Sequence, residues 1–274
     1  MNEEFKTEPI QLLPILASMG FGILCASLVL ASSIPHYAVT PFPEGVGSFA
    51  NGLYFVLLAG VGATLLYLLL KRKKMKTISI IIGFAITIAI LLLSVVYLSA
   101  LFSLVPISST IAFVSTVALG ISVTILADLA IFKVQGRISN VVILLLGGGL
   151  GAFLGVSIPV YSAIVILAFL AIYDIYAVYR GPVGKMAQQG LEELHGLSFY
   201  FRDFQMGLGD LTFYSMLTAV VLTTAGPILC AASAVGILGG VLIVLKMLEK
   251  RGMFPGLPFP VFLGLLPLIV FLLR

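Results

Sequence analysis

The chain is 274 residues long, 61% hydrophobic and 9% charged, with a formal net charge of +4 and a mean hydropathy of +1.21. Water-soluble domains carry roughly 25% charged residues and about 45–50% apolar ones, so there is too little polar surface here to cover a soluble globule, and an integral membrane protein is expected. Two cysteines (Cys25, Cys230) and two histidines (His36, His195) are too few and too scattered for a disulfide framework or a metal cluster, and neither HExxH nor a GxSG-type serine turn occurs, which argues against a zinc protease and an intramembrane serine protease.

A helix crossing about 30 Å of hydrocarbon needs roughly 20 apolar residues. On that measure the first span is predicted at 10–32; the acidic stretch before it (Glu3, Glu4, Glu8) and the length of its apolar run argue against a cleavable signal. The second, 52–70, runs into Lys71, Arg72, Lys73, Lys74 and Lys76, read as a topology anchor touching anionic lipid rather than as a nucleic-acid site. Spans at 77–99 and 105–127 follow, the latter closed by Asp128 near Lys133 and Arg137, which reads as a helix-end or salt-bridged residue. The fifth, 139–157, carries Gly147, Gly151 and Gly155 at four-residue spacing, the mark of close helix packing. The sixth, 160–179, carries Asp174, and the loop 180–205 after it mixes Glu192, Glu193, His195 and Arg202 with Leu191, Leu194 and Phe199, the composition of an amphipathic surface helix, favoured here, or of a mobile lid. The seventh, 206–225, carries Asp210; the eighth, 228–245, repeats the small-residue ladder with Gly236 and Gly240; the ninth covers 258–273. The expected fold class is an all-α membrane protein, a polytopic bundle of nine transmembrane helices forming a single membrane domain over 1–274, with no soluble domain.

Fourteen of the fifteen Lys and Arg residues fall at the N-terminus or in even-numbered loops, and the fifteenth is the terminal Arg274. The positive-inside rule then predicts a cytoplasmic N-terminus and an external C-terminus in a multi-pass protein of the cell membrane.

Ionisable residues inside apolar spans are costly and mark function by default. Asp174 lies six residues before Arg180 and Asp210 eight residues after Arg202. At 1.5 Å per residue this puts them roughly 9 Å and 12 Å from the same membrane face if both helices are continuous, less for Asp210 if a glycine turn interrupts its helix. Two facing carboxylates in a low-dielectric gap share one proton and so form an acid and a base from one residue type. Position alone leaves open whether such a pair hydrolyses a bond, carries a proton or cation, or holds two helices together.

The surrounding sequence narrows this. Asp174 stands in AIYDIYAVYR after Tyr173; Asp210 stands in MGLGDLTFY after Gly207, Leu208 and Gly209; and FPGLPFP (Phe254 to Pro260) precedes the last span. This ordered YD, GxGD and PAL-like set on nine spans resembles the presenilin and signal peptide peptidase family of intramembrane aspartyl proteases, here as a compact prokaryotic, by expectation archaeal, presenilin homologue. The resemblance implies an aspartic endopeptidase of GxGD type with Asp174 and Asp210 as its dyad. It further implies that Tyr173, Gly207, Leu208, Gly209, Pro255, Gly256, Leu257 and Pro258 shape the site or bind substrate, with Gly256 where the family has alanine. From the residues themselves, Gly207 and Gly209 are expected to permit unusual backbone angles and close approach beside Asp210. Pro255, Pro258 and Pro260 are expected to keep their segment irregular, and Tyr173 is either an interfacial anchor or a hydrogen-bonding neighbour of the dyad.

The expected activity is hydrolysis of peptide bonds within transmembrane segments of single-span substrates, with no cofactor and no metal. Substrate proteins or peptides and the lipid bilayer are the expected partners, nucleic acid is not, and self-association is left open. A proton-coupled transporter is the alternative from another class, disfavoured because no matching halves occur. A type-4 prepilin or preflagellin peptidase shares GxGD but not the other two motifs.

Overall fold

The structure, a computed structural model, describes residues 7–32, 34, 38–134, 136–181, 184, 198–201, 204–251 and 253–274. His36, His195, Lys6 and most of the 180–205 segment, with its expected surface helix, lie outside the described residues. Among the described residues the chain forms nine α-helices: α1 (Leu13–Ala31), α2 (Gly47–Lys71), α3 (Met75–Ser103), α4 (Ser109–Leu129), α5 (Gly136–Ser157), α6 (Val160–Tyr179), α7 (Leu208–Ala225), α8 (Pro227–Arg251) and α9 (Pro258–Leu272). Eight are long and apolar enough to cross a bilayer; α9 is shorter. Phe84, Phe113 and Leu126 are each more than 60% exposed, which only a hydrocarbon surrounding tolerates at this density.

Helix α5 is the centre of the bundle, lying between α1 and α7. Its glycine ladder is what brings α7 so close. A Cβ on Gly151 would meet Thr212 O, lie 2.6 Å from Ser215 Cβ and 2.7 Å from Met216 N, and one on Gly155 would lie 2.6 Å from Met216 O. Helix α8 uses the same device on α9: a Cβ on Gly236 would sit 2.6 Å from Leu263 O, and one on Gly240 2.6 Å from Phe259 C. Between α7 and α8 the chain reverses at Gly226, whose φ of +85° favours glycine. Helix α2 leans on α6, tied by a buried polar knot in which Asn51 Nδ2 donates to Ser162 Oγ at 3.0 Å and to Phe42 O at 2.9 Å.

One local expectation changes and two take a definite form. The end of the 180–205 segment is a hairpin rather than a helix, β1 (Ser198–Phe201) paired antiparallel with β2 (Phe204–Gly207). Phe199 and Met206 face each other across it and both are buried; a pleated ribbon buries alternate bulky residues without a long apolar stripe. Pairing of Gly207 with Ser198 holds the backbone extended up to that residue, so α7 begins only at Leu208 and Asp210 sits in its first turn, not deep along a helix from Arg202. Asp128 stands at the end of α4, one of the two positions expected for it, and makes no ion pair with Lys133 or Arg137; its Oδ2 accepts from Thr87 Oγ1 of α3 at 2.8 Å, and the chain then widens into a π-helical turn at Ala130–Val134.

Candidate active site

Asp174 projects from the second half of α6, and Asp210 from the first turn of α7, where the positive end of the helix dipole and the Gly207 amide face its carboxylate. Both residues are partly exposed as whole residues, with their carboxyl groups turned into the protein. The segment before α9 comes between them. Leu257 N donates to Asp174 Oδ2 at 3.0 Å, and the Gly256 amide is turned toward the same carboxylate. On the other side the Asp210 carboxylate packs directly on Gly256: a Cβ there would lie 2.8 Å from Oδ2 and 3.1 Å from Cγ. Residues 36 apart on α6 and α7 thus meet a single stretch of backbone that is more than forty residues further along the chain.

That contact revises the part expected of the glycines. Gly207 is extended with φ −69°, and a Cβ on Gly207 or on Gly209 would find only ordinary contacts at 3.8 Å. The position that has no room is Gly256. The alanine that the family resemblance expects would displace the Asp210 carboxylate, so this chain sets its carboxylates against a slimmer backbone.

Prolines 258 and 260 stand in the first turn of α9, where a preset φ suits the helix and a missing N–H costs no bond. Only 253–257 is non-helical among the described residues of the segment. At 1.5 Å per residue the 15 residues of α9 cover roughly 22 Å, short of the hydrocarbon thickness of about 30 Å. Irregular backbone at membrane depth is tolerated only where it lines a protein-filled or watery cavity, and the contacts of Gly256 and Leu257 with the two carboxylates meet that condition. Pro255 and Leu257 are buried, and Leu208 packs against Gly147 of α5.

Tyr173 is not among the groups bonded to either carboxylate. Its hydroxyl is buried without a hydrogen-bond partner, beside Gly60 of α2. Sequence reasoning missed Tyr214, which is fully buried and donates its hydroxyl to Gly256 O at 2.8 Å. Its position four residues after Asp210, one helical turn on, was the available signal. No group of His, Cys, Asp and Glu that could hold a metal occurs among the described residues.

Two apolar helices thus each bring a carboxylate to one stretch of backbone. Residues 23–192 match the family described as signal-peptide peptidase, presenilin aspartyl protease, more than half of the chain, and the chain belongs to that family. The matched region includes Asp174 and ends before Asp210 and the 253–257 segment. Two solved structures of a presenilin family intramembrane aspartate protease share the fold. One, in space group C222, aligns with a TM-score of 0.65 at 22% identity over 94% of this chain and 95% of that one. The other, in space group P2, aligns with a TM-score of 0.63 at 23% identity over 94% of each. No curated protein sequence matches the chain. The protein is thus a multi-pass integral membrane aspartic endopeptidase acting on membrane-embedded substrates.

Proposed function

We propose that Asp174 and Asp210 are the catalytic pair of this protease and that the Gly256–Leu257 backbone is the wall holding them in register. The observation that carries the proposal is that both carboxylates touch that one stretch of backbone. One carboxylate takes a proton from water as it adds to the scissile carbonyl carbon; the other, protonated, donates to the carbonyl oxygen. The gem-diol then collapses with cleavage of the C–N bond: the carboxyl that took the water proton gives it to the amine nitrogen, the other carboxylate takes a proton from a diol hydroxyl, and the pair is again singly protonated. The two roles belong to the pair rather than to either residue alone.

The substrates proposed are single-span membrane proteins, since one apolar helix can diffuse laterally to the bundle and unwind at the two aspartates to free its carbonyls. The purified protein should cleave a single-span peptide in lipid, and a transition-state analogue of aspartyl proteolysis should abolish the products. Intact peptide after prolonged incubation would refute the substrate class.

The whole chain is proposed as one membrane domain of the cell membrane, with the 71–76 turn on the cytoplasmic side and the C-terminus outside. The ground is the exposed run of Lys71, Arg72, Lys73, Lys74 and Lys76 between α2 and α3. Cysteines introduced at 73 and 274 should react with a membrane-impermeant maleimide on intact cells only at 274; labelling at 73 would reverse the orientation.

A further inference from the structure

The carbonyl of Gly256 and the N–H of Leu257 belong to one peptide group, and the two ends of that group are held by different helices. Tyr214 of α7 donates to the carbonyl at 2.8 Å, and Asp174 of α6 accepts from the N–H at 3.0 Å. A trans peptide is planar, with its C=O and N–H pointing in opposite directions. Fixing one end therefore fixes the direction of the other. Asp210, one turn before Tyr214 on α7, packs on the Gly256 side of the same group.

We infer that Tyr214 is a positioning residue for proteolysis: through the Gly256–Leu257 peptide it sets the orientation of the Asp174 carboxylate toward Asp210. The inference rests on the reading of Asp174 and Asp210 as the catalytic pair. Gly256 has no side chain to resist rotation of its peptide plane, and its neighbours Pro255 and Pro258 contribute no N–H of their own. The Tyr214 hydroxyl supplies that restraint from a fully buried position. It also polarises the peptide, since a carbonyl that accepts a bond makes the N–H of its own peptide a better donor. Without the hydroxyl the plane is free to turn and the Leu257 N–H leaves Asp174, so the carboxylate keeps only the Gly256 amide and its rotamer is no longer fixed from two sides. Tyr214 itself need not touch substrate or water.

The test compares wild-type protein with Tyr214→Phe and with Tyr214→p-aminophenylalanine, whose amine can donate the same bond. Each is purified in lipid and assayed on one single-span peptide for kcat, KM and thermal midpoint. Phenylalanine keeps the ring packing, so the expected result is folded protein with kcat down by roughly tenfold to a hundredfold, the cost of about 1 Å of misplacement. KM should stay within about twofold, and the amine should restore most of kcat. A lost structural hydrogen bond would lower the thermal midpoint but leave kcat per folded molecule unchanged. Wild-type kcat in Tyr214→Phe overturns the inference, as does failure of the folded amine variant to recover activity, or a Phe variant that cannot be obtained folded while the amine variant remains slow. Persisting activity in Asp174→Asn or Asp210→Asn would instead refute the catalytic pair, whatever the Tyr214 variants do.

Discussion

Asp174→Asn and Asp210→Asn should each reduce peptide cleavage to background while leaving a folded, membrane-inserted protein. Asparagine is nearly isosteric with aspartate and keeps a carbonyl oxygen that can accept from Leu257 N, the bond that Asp174 Oδ2 receives at 3.0 Å. It cannot take up a proton from water or hold one to give to a carbonyl, so the acid–base pair loses one member completely. General acid–base catalysis contributes on the order of 10²–10⁴ in rate, and a pair that works as a unit loses nearly everything with either partner. Alanine is a less informative replacement at 174. It would leave the Leu257 N–H buried without an acceptor, which costs about 1–3 kcal/mol, and a loss of activity would then mix chemistry with a shifted segment. Cleavage measured at matched amounts of folded protein decides the matter. Activity in either asparagine variant above a few per cent of wild type would remove that residue from the chemistry.

Gly151→Leu should prevent the protein from folding, and Gly62→Leu should not. At Gly151 the first side-chain carbon alone would overlap the α7 backbone at Thr212 O and approach Met216 N to 2.7 Å, and neither atom can swing aside as a side-chain tip could. Overpacking by a few methylenes typically costs 1–3 kcal/mol. Here the added group meets main chain, so α5 and α7 must separate, and with them goes the most extensive helix pair in the bundle. Gly62 on α2 has nothing within 4 Å of a Cβ and is exposed, so leucine there enters lipid. Size-exclusion profiles and thermal midpoints in detergent distinguish the two: a monodisperse Gly151→Leu protein with a midpoint near that of wild type would show that the ladder is not what seats α7. The ladder also matters for chemistry, because α7 brings both Asp210 and Tyr214 to the site.

Much of this was legible in the chain because a bilayer imposes simple rules. Apolar runs of about twenty residues read as helices, since a helix pairs its backbone groups within its own segment and barrel strands cross in about ten residues, and a carboxylate inside such a run marks function by default. The glycines at 147, 151 and 155 announced close packing, although their spacing could not name α7 as the partner. The two strands were hidden for a different reason. Four residues each, they carry less periodic signal than any helix, and their pairing joins residues as far apart as Ser198 and Gly207.

What the sequence determined by itself was composition-driven: a membrane bundle of apolar helices, two aspartates within it, and three short motifs in a family's order. Only the tertiary structure decided how the motifs act on one another. Gly256 looked like a minor exchange for alanine because a sequence carries no distances; the structure brings the Asp210 carboxylate to within 2.8 Å of where a Cβ would stand. Tyr214 looked like any aromatic residue on an apolar helix until the fold brought Gly256 O, forty-two residues away, to its hydroxyl. Both facts are contacts between segments far apart in the chain. Helical periodicity and local propensity reach only a turn or two along a helix, whereas the α5–α7 and α8–α9 seats that create these contacts are set by which backbones glycine allows to touch.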